Sequence, residues 1–155
     1  MGRAVTTDSL GAWLLKASPA GGALDRVVLD GFRTVTTRCV RPSYRTELVR
    51  AGQPVLLWVS GGDPRHPSGI QAQGRTTGPV VETAEDGPVI PVRLRPVDPL
   101  VPRESLLVDP VLAGLEVLRM PAGSNPSYLD VEQYAALRDA FPQIDRGVGP
   151  TAPTA

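Results

Sequence analysis

The stretch VLLWVSGGDPRHPSGIQAQGRTTG, residues 55–78, decides the fold of this chain. It opens on a run of apolar residues, 55–59, and then turns abruptly into glycine, proline and charge. A strand that is apolar on both faces is typical of the centre of a sheet covered on each side. Because side chains alternate along a strand, Leu56, Trp58 and Ser60 are predicted to share one face. The segment therefore predicts a central, buried strand.

The second half of the same stretch, GIQAQGR at residues 69–75, alternates along its length. This alternation predicts a strand that returns beside the first as a hairpin with a long loop. The pattern places Ile70, Ala72 and Gly74 on one face and Gln71, Gln73 and Arg75 on the other.

Short elements surround this hairpin. The patterns predict strands over residues 12–17 and 88–95, a weaker strand or a connection over 25–30, and a single helical turn over 109–114. In the strand over 88–95, Ile90, Val92 and Leu94 are expected to point inward. None of the helical segments has the length that alternating parallel βαβ units require. We therefore expect an α+β fold, a small domain around a curled sheet.

The segment SYRTELVRAG, residues 43–52, predicts a short helix. Ser43 can cap its first turn, and Gly52 suits the left-handed position after its last turn. Its core face would use Tyr44 and Leu48.

The final helix carries the clearest local signals. Asp130 is a favoured N-cap, and Gln133 at the third helical position completes a capping box. Leu129 and Tyr134 have the spacing of a hydrophobic staple. Pro142 is expected to end the helix.

The expected domain organisation is simple. Residues 11–146 are long enough for one domain with its own core. The polar residues 1–10 are expected to be a flexible N-terminus, and the apolar-poor residues 147–155 a disordered tail.

Composition limits the function classes. Basic and acidic residues are equal in number, at 16 each, so no global field attracts nucleic acid or a membrane. Residues 33–50, however, carry five arginines against the single acid Glu47, which predicts a local basic stripe. No signal peptide or 18-residue apolar segment occurs, so we expect a cytoplasmic protein without a membrane partner.

Enzyme chemistry has little support in the sequence. His66 is the only histidine and Cys39 the only cysteine, which excludes multi-histidine metal sites and CxxC pairs. Asp63, His66 and Ser68 crowd into one loop, but a catalytic triad needs a rigid scaffold that a proline-rich loop does not offer. No phosphate-binding loop or dinucleotide motif occurs. We expect no catalytic residues, no metal and no cofactor.

Three stretches carry a resemblance to a known family. They are GAWLLKASP at residues 11–19, CVRPSYRTELVRAGQPVLLWVSG at 39–61 with GIQAQGRTTGPV at 69–80, and LLVDPVLAGLEVLRMPAGSNPSYLDVEQYAAL at 106–137. In their joint order they resemble EVE domains. The resemblance implies a PUA-like mixed β-barrel with short flanking helices, related to the YTH domains that read N6-methyladenine in RNA. It also implies capture of a flipped or single-stranded base between aromatic faces, with polar groups reading its edge.

The resemblance assigns several residues to a ligand pocket. Lys16 matches the family's first strand, on the opposite face from Trp13. Ser60 and Gly61 match a small polar pair at the end of the central strand. Asn125 matches a Gly-x-Asn position whose amide can donate to and accept from a base.

One position departs from the family. Many relatives carry a tryptophan near the position of Arg38 and Cys39, where it forms a pocket wall, whereas this chain reads TTRCV. An arginine plane can also stack on a base, so both residues stay in the expected pocket. Trp58 can fill the core or contact the ligand. Arg41 and Arg45, four residues apart, would share a helix face that meets either phosphate or solvent.

The sequence therefore predicts a non-catalytic module that binds DNA or RNA, with a preference for a modified base. The alternative is a small-molecule-binding or protein-interaction domain on the same barrel, which zero net charge favours.

Overall fold

The computed structural model describes residues 4–17, 23–60, 64–120 and 125–144. Within these ranges there are seven strands. They are β1 (Leu10–Ala17), β2 (Thr37–Cys39), β3 (Pro54–Val59), β4 (Gly69–Thr76), β5 (Val81–Thr83), β6 (Gly87–Pro102) and β7 (Ser127–Asp130). They form one sheet in the order β2-β6-β4-β3-β1-β7, and β5 pairs with β6 beside this path.

The helices are few and short. They are α1 (Ala23–Leu29), α2 (Arg103–Leu107), α3 (Glu116–Arg119) and α4 (Val131–Ala140), with 3-10 turns at Tyr44–Leu48 and Leu112–Gly114. The protein is thus a mixed α+β fold with a curled open sheet, a half-barrel, as the sequence predicts at this level.

The strand β3 is central and buried on both faces, as expected. It pairs in parallel with β1 and antiparallel with β4. Leu56 and Trp58 pack into the core cluster on one side of the sheet, and Val55 and Leu57 into the cluster on the other side. The period-two prediction for this strand is confirmed.

The simple alternation predicted for β4 is wrong. The register of β4 shifts between Ile70 and Ala72, both against β3 and against β6. One extra residue at such a bulge inverts the facing of everything beyond it. Ile70 therefore packs with Trp58 in one core cluster, whereas Ala72 packs in the other.

The two glutamines of β4, which the alternation predicts on the face opposite Ile70, are buried. Gln71 is 7% exposed and its Nε2 donates to the carbonyl of Pro67 at 2.9 Å. Gln73 is 5% exposed and its Nε2 donates to the carbonyl of Gln143 at 2.8 Å. Each amide thus finds a backbone acceptor, which makes its burial tolerable.

Residues 25–30, expected as a strand or a connection, belong mostly to the helix α1. Leu24 and Val27 have helical spacing and pack into the same core cluster. The helix ends in a Schellman motif, with the amide of Gly31 donating to Val28 (3.1 Å) and that of Phe32 to Val27 (2.9 Å).

The helix predicted over residues 43–52 is shorter and tighter than expected. Ser43 does cap it, since its Oγ accepts from the amide of Arg45 at 3.2 Å. The 3-10 turn ends at Leu48, so Gly52, at a φ of 86°, serves the following turn rather than the helix end. Tyr44 is 47% exposed and is not a core residue.

Residues 4–10, which the sequence predicts to be flexible, make contacts with the domain. Val5 is 2% exposed, and its amide donates to the hydroxyl of Tyr44 at 3.0 Å. Leu10 already belongs to β1. The predicted tail over residues 147–155 lies outside the described residues.

The final helix is confirmed in detail. The Asp130 carboxylate accepts from the amide of Gln133 at 2.7 Å, and the Gln133 side chain accepts from the amide of Asp130 at 3.0 Å. Tyr134 and Leu137 are buried against β1 and β7. Asp109 likewise caps the turn at Leu112–Gly114 through its Oδ1.

In the described parts of the chain, we find no helix with both the length and the apolar character needed to cross a membrane.

Candidate functional site

The two edge strands of the sheet meet at one point, which we call the seam. The amide of Arg41, just after β2, donates to the carbonyl of Asn125 at 2.9 Å, just before β7. In return the Asn125 Nδ2 donates to the carbonyl of Cys39 at 3.0 Å. The side chain and the backbone of one asparagine thus hold the curled sheet together at this point.

The seam lies at the carboxyl end of the central strands. Because β1 and β3 are parallel, both end at the same edge, and there the amide of Ser60 donates to the carbonyl of Ala17 at 3.1 Å. The Nη2 of Arg38 donates to the carbonyl of Lys16 at 2.6 Å, which ties β2 to β1. The seam residues are Lys16, Arg38, Cys39, Arg41, Ser60 and Asn125.

Two buried polar atoms of the seam have no hydrogen-bond partner in the described structure. They are the Nε of Arg38, a donor, and the Oδ1 of Asn125, an acceptor. Leaving such atoms unpaired costs about 1–3 kcal/mol each. A ligand that offers one acceptor and one donor would recover that energy once the two side chains turn toward it, a change that is common on binding.

Positive charge is concentrated around Lys16. Burial lowers the pKa of this lysine, the Glu116 carboxylate opposes the effect, and Arg41 and Arg45 lower the pKa further. Burial also lowers the pKa of Arg38, with an opposing effect from Cys39. Charges that shift one another's pKa lie close enough to act jointly on a bound anion.

Arg45, expected to contact phosphate, instead forms an internal ion pair. Its Nη1 and Nη2 donate to both carboxylate oxygens of Glu116 at 2.8 Å, and Nη1 also donates to the carbonyl of Pro126 at 2.9 Å. Its guanidinium carbon lies 4.9 Å from the ring centre of Tyr128. With its side chain 11% exposed, Arg45 has little surface to offer a ligand.

Arg41 remains available for a ligand. It is exposed and lies before the 3-10 turn that begins at Tyr44. The prediction that Arg41 and Arg45 share a helix face is therefore wrong, because no helix includes both. The two arginines instead differ in exposure and in partners.

Trp58 lies in the core of the protein. It is 3% exposed and packs with Leu56 and Ile70 in one of the two core clusters. Its partner in β1 is Lys16, so the tryptophan supports the strand pair that carries the lysine. Of the two alternatives that the sequence left open, the structural role is the one that the burial supports.

The remaining expected residues fall in different places. Ser60 is exposed directly after β3, and Cys39 is exposed at the end of β2. Gly61 lies outside the described residues. Trp13 is fully buried on the face opposite Lys16, and its Nε1 donates to the Oε1 of Gln53 at 2.8 Å.

Glu116 lies at this site, although the sequence analysis does not predict it there. Glu116 begins α3, and Ser127 donates its hydroxyl to the Glu116 Oε1 at 2.7 Å. Burial would raise the pKa of Glu116, but hydrogen bonds from Arg45 and Ser127 outweigh it and lower that pKa. No motif in the sequence singles out Glu116, because its partners Arg45 and Ser127 are not its neighbours in the chain.

The loop that holds His66 has a structural partner. The His66 Nε2 and the Arg65 Nη1 both contact the carboxylate of Asp25 on α1, the latter at 3.2 Å. In the part of the chain that the structure describes, no group of three or more His, Cys, Asp or Glu side chains is placed to hold a metal ion.

Solved structures share this fold. No protein-family model and no curated protein matches the sequence. Rpa0253 of Rhodopseudomonas palustris, solved by NMR, superimposes with a TM-score of 0.64 at 14% identity, over 86% of this chain and 94% of its own. A hypothetical protein from Leishmania major gives a TM-score of 0.64 at 14% identity, over 91% and 100%.

A Pseudomonas putida protein gives a TM-score of 0.62 at 14% identity, over 83% of this chain and 97% of its own. At such low identity these likenesses show the fold alone. They support a barrel-like α+β architecture.

Proposed function

We propose that this chain is an EVE-like, PUA-fold module that captures a flipped or single-stranded base of DNA or RNA at the seam, without catalysis. The observation that carries the proposal is the pair of unpartnered atoms, the Arg38 Nε donor and the Asn125 Oδ1 acceptor, beside a cluster of cations. A nucleobase edge presents both donors and acceptors, which is the chemistry these two atoms lack.

Five of the six seam residues have a direct role in this proposal, and the Cys39 carbonyl holds the Asn125 amide in place. The Asn125 Oδ1 accepts from the base edge, and the Arg38 Nε donates to the same edge. Lys16 and Arg41 attract the backbone phosphates. The Ser60 hydroxyl and Gly61 border the base, and a modified base is the preferred ligand. Trp58 and Arg45 have no direct contact with it.

The location of the cations also favours nucleic acid. The chain has zero net charge, so a general attraction to polyanions is weak. The seam, however, brings Lys16, Arg38 and Arg41 together, whereas the nearby Glu116 is already paired with Arg45. A locally positive site on a neutral protein suits a short segment of nucleic acid rather than a long duplex.

The test is binding of labelled single-stranded oligonucleotides, with and without modified bases, measured by fluorescence anisotropy over a range of salt. Arg41→Ala should weaken binding to all sequences and reduce the salt slope by about 0.7, one phosphate contact on a single strand. Asn125→Ala should reduce the preference among bases with little change in the slope. The matched control is Arg93→Ala, an exposed arginine on β6 outside the seam.

Absence of salt-dependent binding to every oligonucleotide would contradict the proposal. If Arg93→Ala weakens oligonucleotide binding as much as Arg41→Ala does, the seam is not the binding site. A thermal shift with free nucleosides but not with oligonucleotides would favour the small-molecule alternative instead.

A further inference from the structure

A cleft elsewhere on the protein shares no residue with the seam. Its volume is about 590 Å³, within the range of small-molecule sites. It lies between the carboxyl end of α1 and the middle of β6. Its polar and apolar walls are Leu29, Asp30 and Arg33 on one side and Leu94, Arg95 and Pro96 on the other.

The wall formed by the end of α1 is held firmly. Gly31 adopts a φ of 70° and Phe32 a φ of 65°, and Phe32 is 2% exposed in the core. A Cβ on Gly31 would lie 3.9 Å from the ring of Pro96, so the chain here runs close to β6. The cleft is therefore built between a helix end anchored by Phe32 and a central part of the sheet.

Three buried polar atoms of the cleft-lining side chains have no hydrogen-bond partner within the described structure. They are the Nε and Nη2 of Arg95 and the Oδ1 of Asp30. The other carboxylate oxygen of Asp30 accepts from the hydroxyl of Thr34 at 2.6 Å, so only one side of this carboxylate is satisfied. Unpaired atoms of this kind are rare in folded proteins and call for a partner.

The two unpaired nitrogens of Arg95 indicate what kind of ligand group would pair with them. Nε and Nη2 are the two donors along one edge of a guanidinium, which binds a carboxylate through two parallel hydrogen bonds. Because these atoms are buried, a ligand reaches them when the terminal torsions of Arg95 turn the edge toward the cleft, a side-chain change that is common on binding. Arg33, also in the wall, adds positive charge.

The charge of Asp30 favours a carboxylate over a phosphate as the ligand of this cleft. Its charge repels a doubly charged phosphate, whereas its unpaired Oδ1 can accept from a donor next to a singly charged carboxylate. We propose that this cleft binds a small carboxylic acid with an adjacent amino or hydroxyl group, an α-amino or α-hydroxy acid. The carboxylate bonds to the edge of Arg95, and the amino or hydroxyl group donates to Asp30.

The test is isothermal titration of the full chain with four probes: L-alanine, L-lactate, propionate and inorganic phosphate. L-Alanine and L-lactate should bind, and propionate, which has no adjacent donor, and phosphate should bind at least about tenfold more weakly. Arg95→Lys keeps the charge but removes the two-donor edge, and it should weaken L-alanine binding by about tenfold or more. Asp30→Asn should reduce the preference for L-alanine over propionate.

The matched control is Arg93→Lys, two residues along the same strand and exposed. It should bind like the unaltered chain, as should Arg41→Ala at the seam. The proposal is overturned if none of the acids binds at millimolar concentration, if phosphate binds as tightly as L-alanine, or if Arg95→Lys binds unchanged. Failure of oligonucleotide binding would not affect these outcomes, because the two sites share no residue.

Discussion

Arg45 is the residue whose role differs most from its expected one. The five arginines of residues 33–50 look alike in the sequence, which does not show that one of them has an acid partner. That partner, Glu116, lies 71 residues further along the chain. The bidentate pair with Glu116 satisfies the charge internally. A guanidinium held in this way stabilises the fold around the seam and leaves Arg41 as the exposed cation.

The Glu116 carboxylate makes stability depend on pH. Its pKa is lowered from the ordinary value of 4.5, so it stabilises the fold above that value and the effect is lost as the pH falls through the lowered pKa. At pH 7 Glu116→Gln should be less stable to urea by about 1–3 kcal/mol, since Arg45 and Ser127 lose a charged acceptor. Below about pH 4 the difference from the unaltered chain should shrink.

The control for this experiment is Glu85→Gln, an exposed acid in the turn before β6. Its free energy of unfolding should stay close to that of the unaltered chain at every pH. A stability difference for Glu116→Gln that is constant across this pH range would contradict the assigned ion pair.

At the scale of elements, the pairing of β4 with β6 requires glycine at position 74, because no side chain fits there. A Cβ on Gly74 would lie 1.7 Å from the carbonyl oxygen of Arg93, which is backbone and cannot move aside alone. Gly74→Ala should therefore lower the free energy of unfolding by several kcal/mol, about 3 or more, in urea titrations. Gly114→Ala, where no atom lies within 4 Å of the new Cβ, is the matched control and should change stability by about 0.5 kcal/mol or less.

A Gly74→Ala chain as stable as Gly114→Ala would mean that β4 and β6 do not approach each other as described. The bulge at Ile70 and Ala72 has a related meaning, because it lets one strand supply both core clusters. Sequence alternation cannot reveal a bulge, since the extra residue is visible only against the partner strands.

The sequence predicts features that depend on neighbouring residues well, and contacts between residues far apart in the chain poorly. The Asp130–Gln133 capping box and the two-sided burial of β3 depend on neighbours in sequence or on simple alternation, and both are confirmed. The sequence does not distinguish a core position from a ligand contact for Trp58, because tryptophan suits both. The Asn125 contact with Cys39 and the orphaned edge of Arg95 depend on residues far apart in the chain, so no spacing rule could find them.

At the scale of the molecule, the N-terminal strand depends on the C-terminal elements. β1 pairs with β7, and α4 covers both. A chain that ends at residue 124 lacks these partners and should show no cooperative unfolding and no protease resistance. A chain that ends at Ile144 keeps every described contact and should unfold like the full chain, whereas cooperative unfolding of the shorter chain would contradict this dependence.

The pairing of Leu14 with Ser127 also has a consequence for biosynthesis. On the ribosome β1 emerges early, but its β7 neighbour follows only after most of the described chain has been translated. Until then an apolar strand with an open edge is exposed, the kind of segment that chaperones shield and that aggregates when unprotected. Slowing translation would therefore prolong this vulnerable interval instead of helping the domain to fold.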